Sequence, residues 1–210
     1  MNIISNNCAA SFLYKKLKKE YNNPFMWSFI EPKEYIELIK NYENIKFNNF
    51  QVIKMPQNIG RNSESISYKL DNGFNILGIK IDNLVTVYYT HYLEIEKQNK
   101  IQYDEANIFI DNVEKYVIEK YKSRLARMNE IPLFFVIAYK HHSWNKELLQ
   151  ELCNIKSKNK IILMTNESLI YNSNVTIIYD NMKIRNPRIL IDNHFNEIKN
   201  EIEKFYEKSL

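Results

Sequence analysis

Apolar residues at positions 9, 10, 13, 14 and 17 recur with a helical period, directly after the β-branched pair Ile3-Ile4. The chain therefore opens as a short strand, a polar turn through Ser5-Asn6-Asn7-Cys8, and a helix that Asn6 or Asn7 can cap. Pro24 marks a turn at Tyr21 to Phe25, and Glu31-Pro32 starts a second helix carrying Tyr35, Ile36, Leu38, Ile39 and Tyr42. A strand is expected around Gln51 to Met55 and a polar loop from Pro56 to Glu64. Three strand-like runs follow, Ser65 to Lys69, Asn75 to Ile81 and Leu84 to Tyr92. Tight turns at Asp71-Asn72-Gly73 and Ile81-Asp82-Asn83-Leu84 join them into an antiparallel sheet. Period-two alternation puts Val85, Val87, Tyr89 and His91 on one face of the last strand.

The second half alternates helix and strand. The pattern predicts a helix over Ala106 to Met128, a buried strand over Ile131 to Tyr139 and a helix over Asn145 to Cys153. Strands at Lys160 to Met164 and Val175 to Tyr179 precede a terminal amphipathic helix from Asn193 to Tyr206. The expected class is α+β, or mixed α/β: one domain over 1–210, with a cysteine-bearing N-terminal helix against a central, largely antiparallel sheet and flanking helices.

Composition narrows the function classes. With 210 residues, 45% of them apolar, the chain can bury a sizeable core. Lys+Arg 29 against Asp+Glu 25 gives a net charge of +4. That suits an anionic small molecule or peripheral contact with an acidic lipid surface, and it is no nucleic-acid footprint. Two cysteines, Cys8 and Cys153, make no disulfide scaffold, and Cys153 lies among Leu148, Leu149 and Leu152. No secretory pattern opens the chain and no apolar run is long enough to span a membrane, so a cytoplasmic protein with reduced thiols is expected.

Cys8 is the credible nucleophile. At a helix start, the free N–H groups and the positive dipole end favour the thiolate. It needs an imidazole base. Of His91, His141, His142 and His194, His91 leads because it ends a strand on the expected sheet, and Glu94, Asp82, Asp104, an asparagine or a backbone carbonyl are candidates to orient it. Zinc-ligand spacing, a P-loop, a dinucleotide fingerprint and a nucleophile elbow are all absent from the sequence, so no metal is expected. Arg124 and Arg127, three apart on one helix face, are spaced to hold a phosphate or carboxylate, or to form surface salt bridges. Trp27 sits in the aromatic cluster Phe25 to Ile30, either as core or as a pocket wall.

Several segments together resemble a bacterial family of exopolysaccharide biosynthesis proteins long catalogued as a domain of unknown function. They are Ser5-Asn6-Asn7-Cys8 and its helix, Asn23-Pro24-Phe25, Gly78-Ile79 with Asp82, His91-Tyr92, and the basic helix from Glu119 through Arg124 and Arg127 to Asn129. The likeness covers roughly residues 3 to 165. It implies a papain-like arrangement, with Cys8 as nucleophile, His91 as base and Asn6, Asn7 and the Cys8 N–H as oxyanion donors. Arg124, Arg127 and Trp27 would contact substrate. The implied activity is cysteine-dependent acyl transfer from a small donor, such as an acyl-CoA co-substrate, to a glycan acceptor. A cysteine hydrolase and a non-catalytic binding protein of the same pathway are the alternatives. The chain departs from the family pattern at Ala138-Tyr139-Lys140-His141-His142-Ser143, where an acidic segment is usual, and at Ala9-Ala10, where glycines are usual.

Overall fold

In the computed structural model, residues 1–26, 28–55, 76–89, 106–128, 131–138, 143–181 and 186–207 are described. The strands are β1 (Asn2–Ser5), β2 (Ser28–Phe29), β3 (Phe50–Met55), β4 (Ile76–Ile81), β5 (Val85–Tyr89), β6 (Pro132–Ile137), β7 (Lys160–Thr165) and β8 (Val175–Tyr179). The helices are α1 (Ala9–Lys16), α2 (Pro32–Asn41), α3 (Ala106–Leu125), α4 (Lys146–Cys153), α5 (Pro187–Asn193) and α6 (Phe195–Glu207). The expected strand at Ser65 to Lys69, the loop from Pro56 to Glu64 and the turn at Asp71-Asn72-Gly73 lie outside the described residues.

The class is mixed α/β, with helices flanking a sheet. The strands divide into two sheets of four. One, in the order β1-β6-β7-β8, is parallel throughout; the other, β2-β5-β4-β3, is antiparallel. The sequence anticipates the antiparallel sheet but expects it to be the central one. Helix α1 instead contacts β1 and β6 of the parallel sheet. The physical reason lies in the strands themselves. Every residue from Pro132 to Ile137 is buried, because helices cover both faces of a parallel sheet.

Alternate residues divide between two cores. Ile3, Leu133, Phe135, Ile162 and Met164 pack under α1, α5 and α6, with Ala9, Ala10, Leu13, Leu190 and Ile198. Ile4, Phe134, Val136, Ile161 and Leu163 face the opposite way, towards α2, α4 and the inner face of the antiparallel sheet. Each fully buried Ile, Leu or Phe is worth about 1.5–3 kcal/mol of transfer free energy. The core therefore holds both faces of β6 and β7 in register.

The helix starts follow their caps. Asn145 Oδ1 accepts the Leu148 N–H at 2.9 Å, and Asn186 Oδ1 accepts the Arg188 N–H at 2.9 Å before Pro187 opens α5. The sequence pattern runs one terminal helix from Asn193. The structure begins α6 at Phe195 and adds α5 before it. At the break, His194 Nε2 lies 2.8 Å from Asp180 Oδ2. Among the described residues, no helix is long and apolar enough to cross a membrane.

Two features of the antiparallel sheet explain motifs that stand out in sequence. Asp82 and Asn83 hold φ of 49° and 55° in the β4–β5 turn, where Asx residues are tolerated. Asp82 also accepts from the Asn49 amide at 2.8 Å and the Lys46 N–H at 3.2 Å, which hold its carboxyl below the usual range. At Gly78, a Cβ would come within 3.2 Å of Ile53 Cγ1 and 3.3 Å of the Val87 carbonyl. Packing accounts for both residues without a ligand.

Candidate functional site

The site is built on an edge strand whose backbone is pinned by side chains. The Ile3 N–H donates to the Tyr14 hydroxyl at 3.1 Å, and the Ile3 carbonyl accepts from the Asn23 amide at 2.8 Å. Tyr35 donates to the Ile4 carbonyl at 2.7 Å. The Tyr206 hydroxyl accepts the Asn2 N–H at 2.6 Å and donates to the Asn2 carbonyl at 2.9 Å. These bonds satisfy backbone groups on a strand paired with only one neighbour. Burial pushes the Tyr14 hydroxyl up to about 12, so it stays protonated and can donate as well as accept. Asn23 Oδ1 also accepts the Phe25 N–H at 3.1 Å, which shapes the Asn23-Pro24-Phe25 turn behind β1.

Strand β1 ends at Ser5, and its carboxyl end delivers Asn6, Asn7 and Cys8 to the start of α1. Open parallel sheets place their ligand sites at this end of the strands. Cys8 is the N-cap residue, with φ −67° and ψ 0°, and is half-buried. Its carbonyl accepts the Phe12 N–H at 3.3 Å. The next two N–H groups are already used: Ala9 donates to Asn7 Oδ1 at 2.9 Å and Ala10 to Ser5 Oγ at 3.0 Å. The Ser5 hydroxyl in turn donates to the Asn7 carbonyl. Asn7 is thus a capping residue, as its position in sequence allows.

Asn6 has a different environment. It is fully buried, and neither its Nδ2 nor its Oδ1 has a hydrogen-bond partner among the described residues. Asn7 Nδ2 is likewise buried without a partner among the described residues. An unmade hydrogen bond at a buried polar group costs about 1–3 kcal/mol, so a fold does not hold such groups for stability. Among the described residues only the Asn6 backbone is engaged, its carbonyl accepting the Ile30 N–H at 2.9 Å next to β2. Nothing in the sequence distinguishes Asn6 from Asn7. The difference arises from packing around them.

The two arginines do not converge. Arg124 Nη1 donates to the Met26 carbonyl at 3.1 Å, and its guanidinium lies 5.9 Å from the Tyr21 ring centre. Arg127 is exposed, and its Nε donates back to the Ser123 carbonyl at 3.2 Å. Arg124 nevertheless approaches α1 indirectly, since Met26 Sδ lies 3.6 Å from Ser11 Oγ. Trp27 and His91 lie outside the described residues, as do His141, His142, Glu94 and Asp104. Asp82 sits in the turn at the start of β5, away from the end at Tyr89, and is engaged there by Asn49 and Lys46. Cys153 is fully buried, and burial pushes its thiol up to about 11, which leaves it inert.

Two glutamates flank the same region. Glu34 on α2 accepts the Thr86 N–H at 3.0 Å and the Thr86 hydroxyl at 3.1 Å, tying α2 to β5. Glu31, the residue after Ile30, has its carboxyl raised by burial and then by the charge of Glu34. Sequence reading passes over this pair because its environment depends on how α2 lies on β5. Among the described residues, no group of three or more His, Cys, Asp or Glu side chains is placed to hold a metal ion.

Comparison with curated proteins yields no match. The model of the domain of unknown function DUF1919 matches residues 1–206, and the chain belongs to that family.

Proposed function

We propose that the chain is a cysteine-dependent acyltransferase that acts on a surface polysaccharide or related sugar, in a papain-like arrangement of Cys8 and His91. The observation that carries this reading is the fully buried Asn6 amide, unpartnered at both atoms among the described residues and two residues from half-buried Cys8 at a helix start. A buried donor left open two residues before a nucleophile in the chain is the kind of group a developing oxyanion requires. Because Asn7 and Ser5 occupy the Ala9 and Ala10 N–H groups, the oxyanion would be received by Asn Nδ2 atoms rather than by those two amides.

His91 follows the end of β5 by two residues in the chain. The last pair of β5 is Tyr89 with Ser28, on the short strand that leads to Ile30 and its bond to the Asn6 carbonyl. That continuity supports His91 as the base. In the reaction, the imidazole takes the thiol proton and the thiolate attacks the acyl carbon. The tetrahedral intermediate collapses to a Cys8 thioester, and the donor's leaving group departs with a proton from the imidazolium. A sugar hydroxyl, deprotonated by the imidazole, then attacks the thioester and releases the thiolate.

The test is intact and peptide mass spectrometry after incubation with acetyl-CoA. An acetyl adduct on the peptide containing Cys8, absent in Cys8→Ser and lost on adding an acceptor glycan, is the expected result. Loss of the adduct to water at the same rate without acceptor would make the chain a hydrolase instead. No adduct with this donor or a longer acyl-CoA would refute acyl transfer from thioesters.

A further inference from the structure

The outer surface of α1 connects the thiol to a cationic cleft. Ala9, Ala10, Ser11, Leu13 and Tyr14 are buried against the sheet, whereas Cys8 and Phe12 are half-buried and Lys15 and Lys16 are exposed. Positions 8, 12 and 15 fall on one stripe at the 3.6-residue period. At a rise of about 1.5 Å per residue, Phe12 lies roughly 6 Å along the axis from Cys8, and Lys15 roughly 10 Å. The far end of this stripe opens into a cleft of about 480 Å³ lined by Phe12, Lys15, Lys16, Arg188, Ile191 and Asp192. It forms where α1 packs beside α5.

The chemistry of the cleft favours an anion with an apolar body. Three cations line it against one carboxylate, and that carboxylate, Asp192, is already paired with Lys16. Lys16 is further held over the Phe195 ring, with its ammonium 4.7 Å from the centre. The Arg188 guanidinium has no hydrogen-bond or ion-pair partner among the described residues. Phe12 and Ile191 supply apolar wall. A planar guanidinium beside an ammonium is suited to phosphate oxygens.

We infer that this cleft anchors the phosphate end of the acyl donor, so that the donor lies along α1 with its acyl carbon at Cys8 and its anionic group about 10 Å or more away. This rests on Cys8 being the acyl acceptor. It adds a substrate class to that reading: phosphorylated thioesters with a long arm between phosphate and acyl carbon are donors, whereas acetyl phosphate, whose acyl carbon is one bridging oxygen from phosphorus, cannot span the stripe.

Coenzyme A is the probe, titrated by calorimetry into the Cys8→Ser protein, which cannot be acylated. Binding is expected, with Arg188→Glu and Lys15→Glu each weakening it at least tenfold and Arg188→Lys retaining most of it. Arg188 and Lys15 are both exposed, outside the buried core, and circular dichroism checks that each variant is folded. In the unsubstituted protein, S-methyl coenzyme A, which carries no free thiol to consume the reagent, is expected to slow iodoacetamide alkylation of Cys8 severalfold, while inorganic pyrophosphate competes for the cleft without slowing it. Unchanged affinity in both charge-reversed variants would overturn the anchor, as would alkylation of Cys8 unaffected by saturating S-methyl coenzyme A. Arg188-dependent binding with no acetyl adduct from acetyl-CoA would leave the anchor standing and remove the acyltransferase reading. An adduct whose rate ignores Arg188→Glu would do the reverse.

Discussion

Asn7 Oδ1 accepts the backbone N–H of Ala9 at 2.9 Å, and the residue between them is Cys8. The bond closes a turn around the cysteine and ties its backbone to the end of β1. Ser5 does the same one residue further on, through the Ala10 N–H at 3.0 Å. The backbone on either side of Cys8 is therefore tied together by Ser5 and Asn7.

Removing this cap should be visible as stability. Asn7→Ala is expected to cost about 1 kcal/mol, the usual worth of an N-terminal capping side chain, and Asn7→Asp should recover most of it because the acceptor is kept. Urea unfolding measures both. Equal stability of Asn7→Ala and the parent would show that the Ala9 N–H is satisfied in another way.

Asn6 should behave in the opposite sense. Its amide is buried with both atoms unpartnered among the described residues, so Asn6→Ala removes an unmet polar group without adding volume to the core. The expected outcome is a gain of about 1–3 kcal/mol together with loss of Cys8 acylation. Thermal unfolding and adduct mass read the two effects on one sample. A less stable variant with acylation intact would remove Asn6 from the site.

The arginines divide along the same line. Arg124→Ala leaves the Met26 carbonyl without its charged donor and should cost about 1.5–3 kcal/mol. Arg127→Ala, at an exposed side chain bonded only within its own helix terminus among the described residues, should stay within about 0.5 kcal/mol. Denaturant midpoints of the two variants test the contrast. Equal losses would contradict the separate roles assigned to them.

Much of this was legible in the chain. Ile3-Ile4 followed by a helical period gave β1 and α1, and Asp82-Asn83 announced the β4–β5 turn. Strand direction was not legible, because the uninterrupted apolar runs at 132–137 and 160–165 establish burial on both faces without naming the neighbour. Helix α5 leaves little periodicity to read because it has only seven residues, although Asn186-Pro187 is a helix-start signal. That helix brings Arg188, Ile191 and Asp192 to the cleft, so the cleft was invisible in sequence as well. The spacing of Arg124 and Arg127 put them on one face but could not show that Met26 engages the first.

Acidity bears on the Glu31–Glu34 pair. Burial, and then the charge of Glu34, raises the Glu31 carboxyl above its ordinary value of 4.5. The folded chain thus binds this proton more tightly than the unfolded one. The resulting stabilisation is complete below pH 4.5 and is lost as pH rises through the folded value. At neutral pH the charged carboxylate opposes folding, so Glu31→Gln is expected to raise the melting temperature at pH 7 and to lose that advantage in acid. A pH-independent difference between the two proteins would contradict this account.

The central claim is that Cys8 is a nucleophile activated by His91, and the rate of Cys8 alkylation by iodoacetamide against pH tests it most directly. The inert, buried Cys153 leaves Cys8 as the thiol that reports. For the unsubstituted protein, the account predicts a midpoint at least one unit below the ordinary thiol value of about 8.5, moved up towards that value in His91→Ala. Superimposable profiles near about 8.5 for both proteins would contradict it.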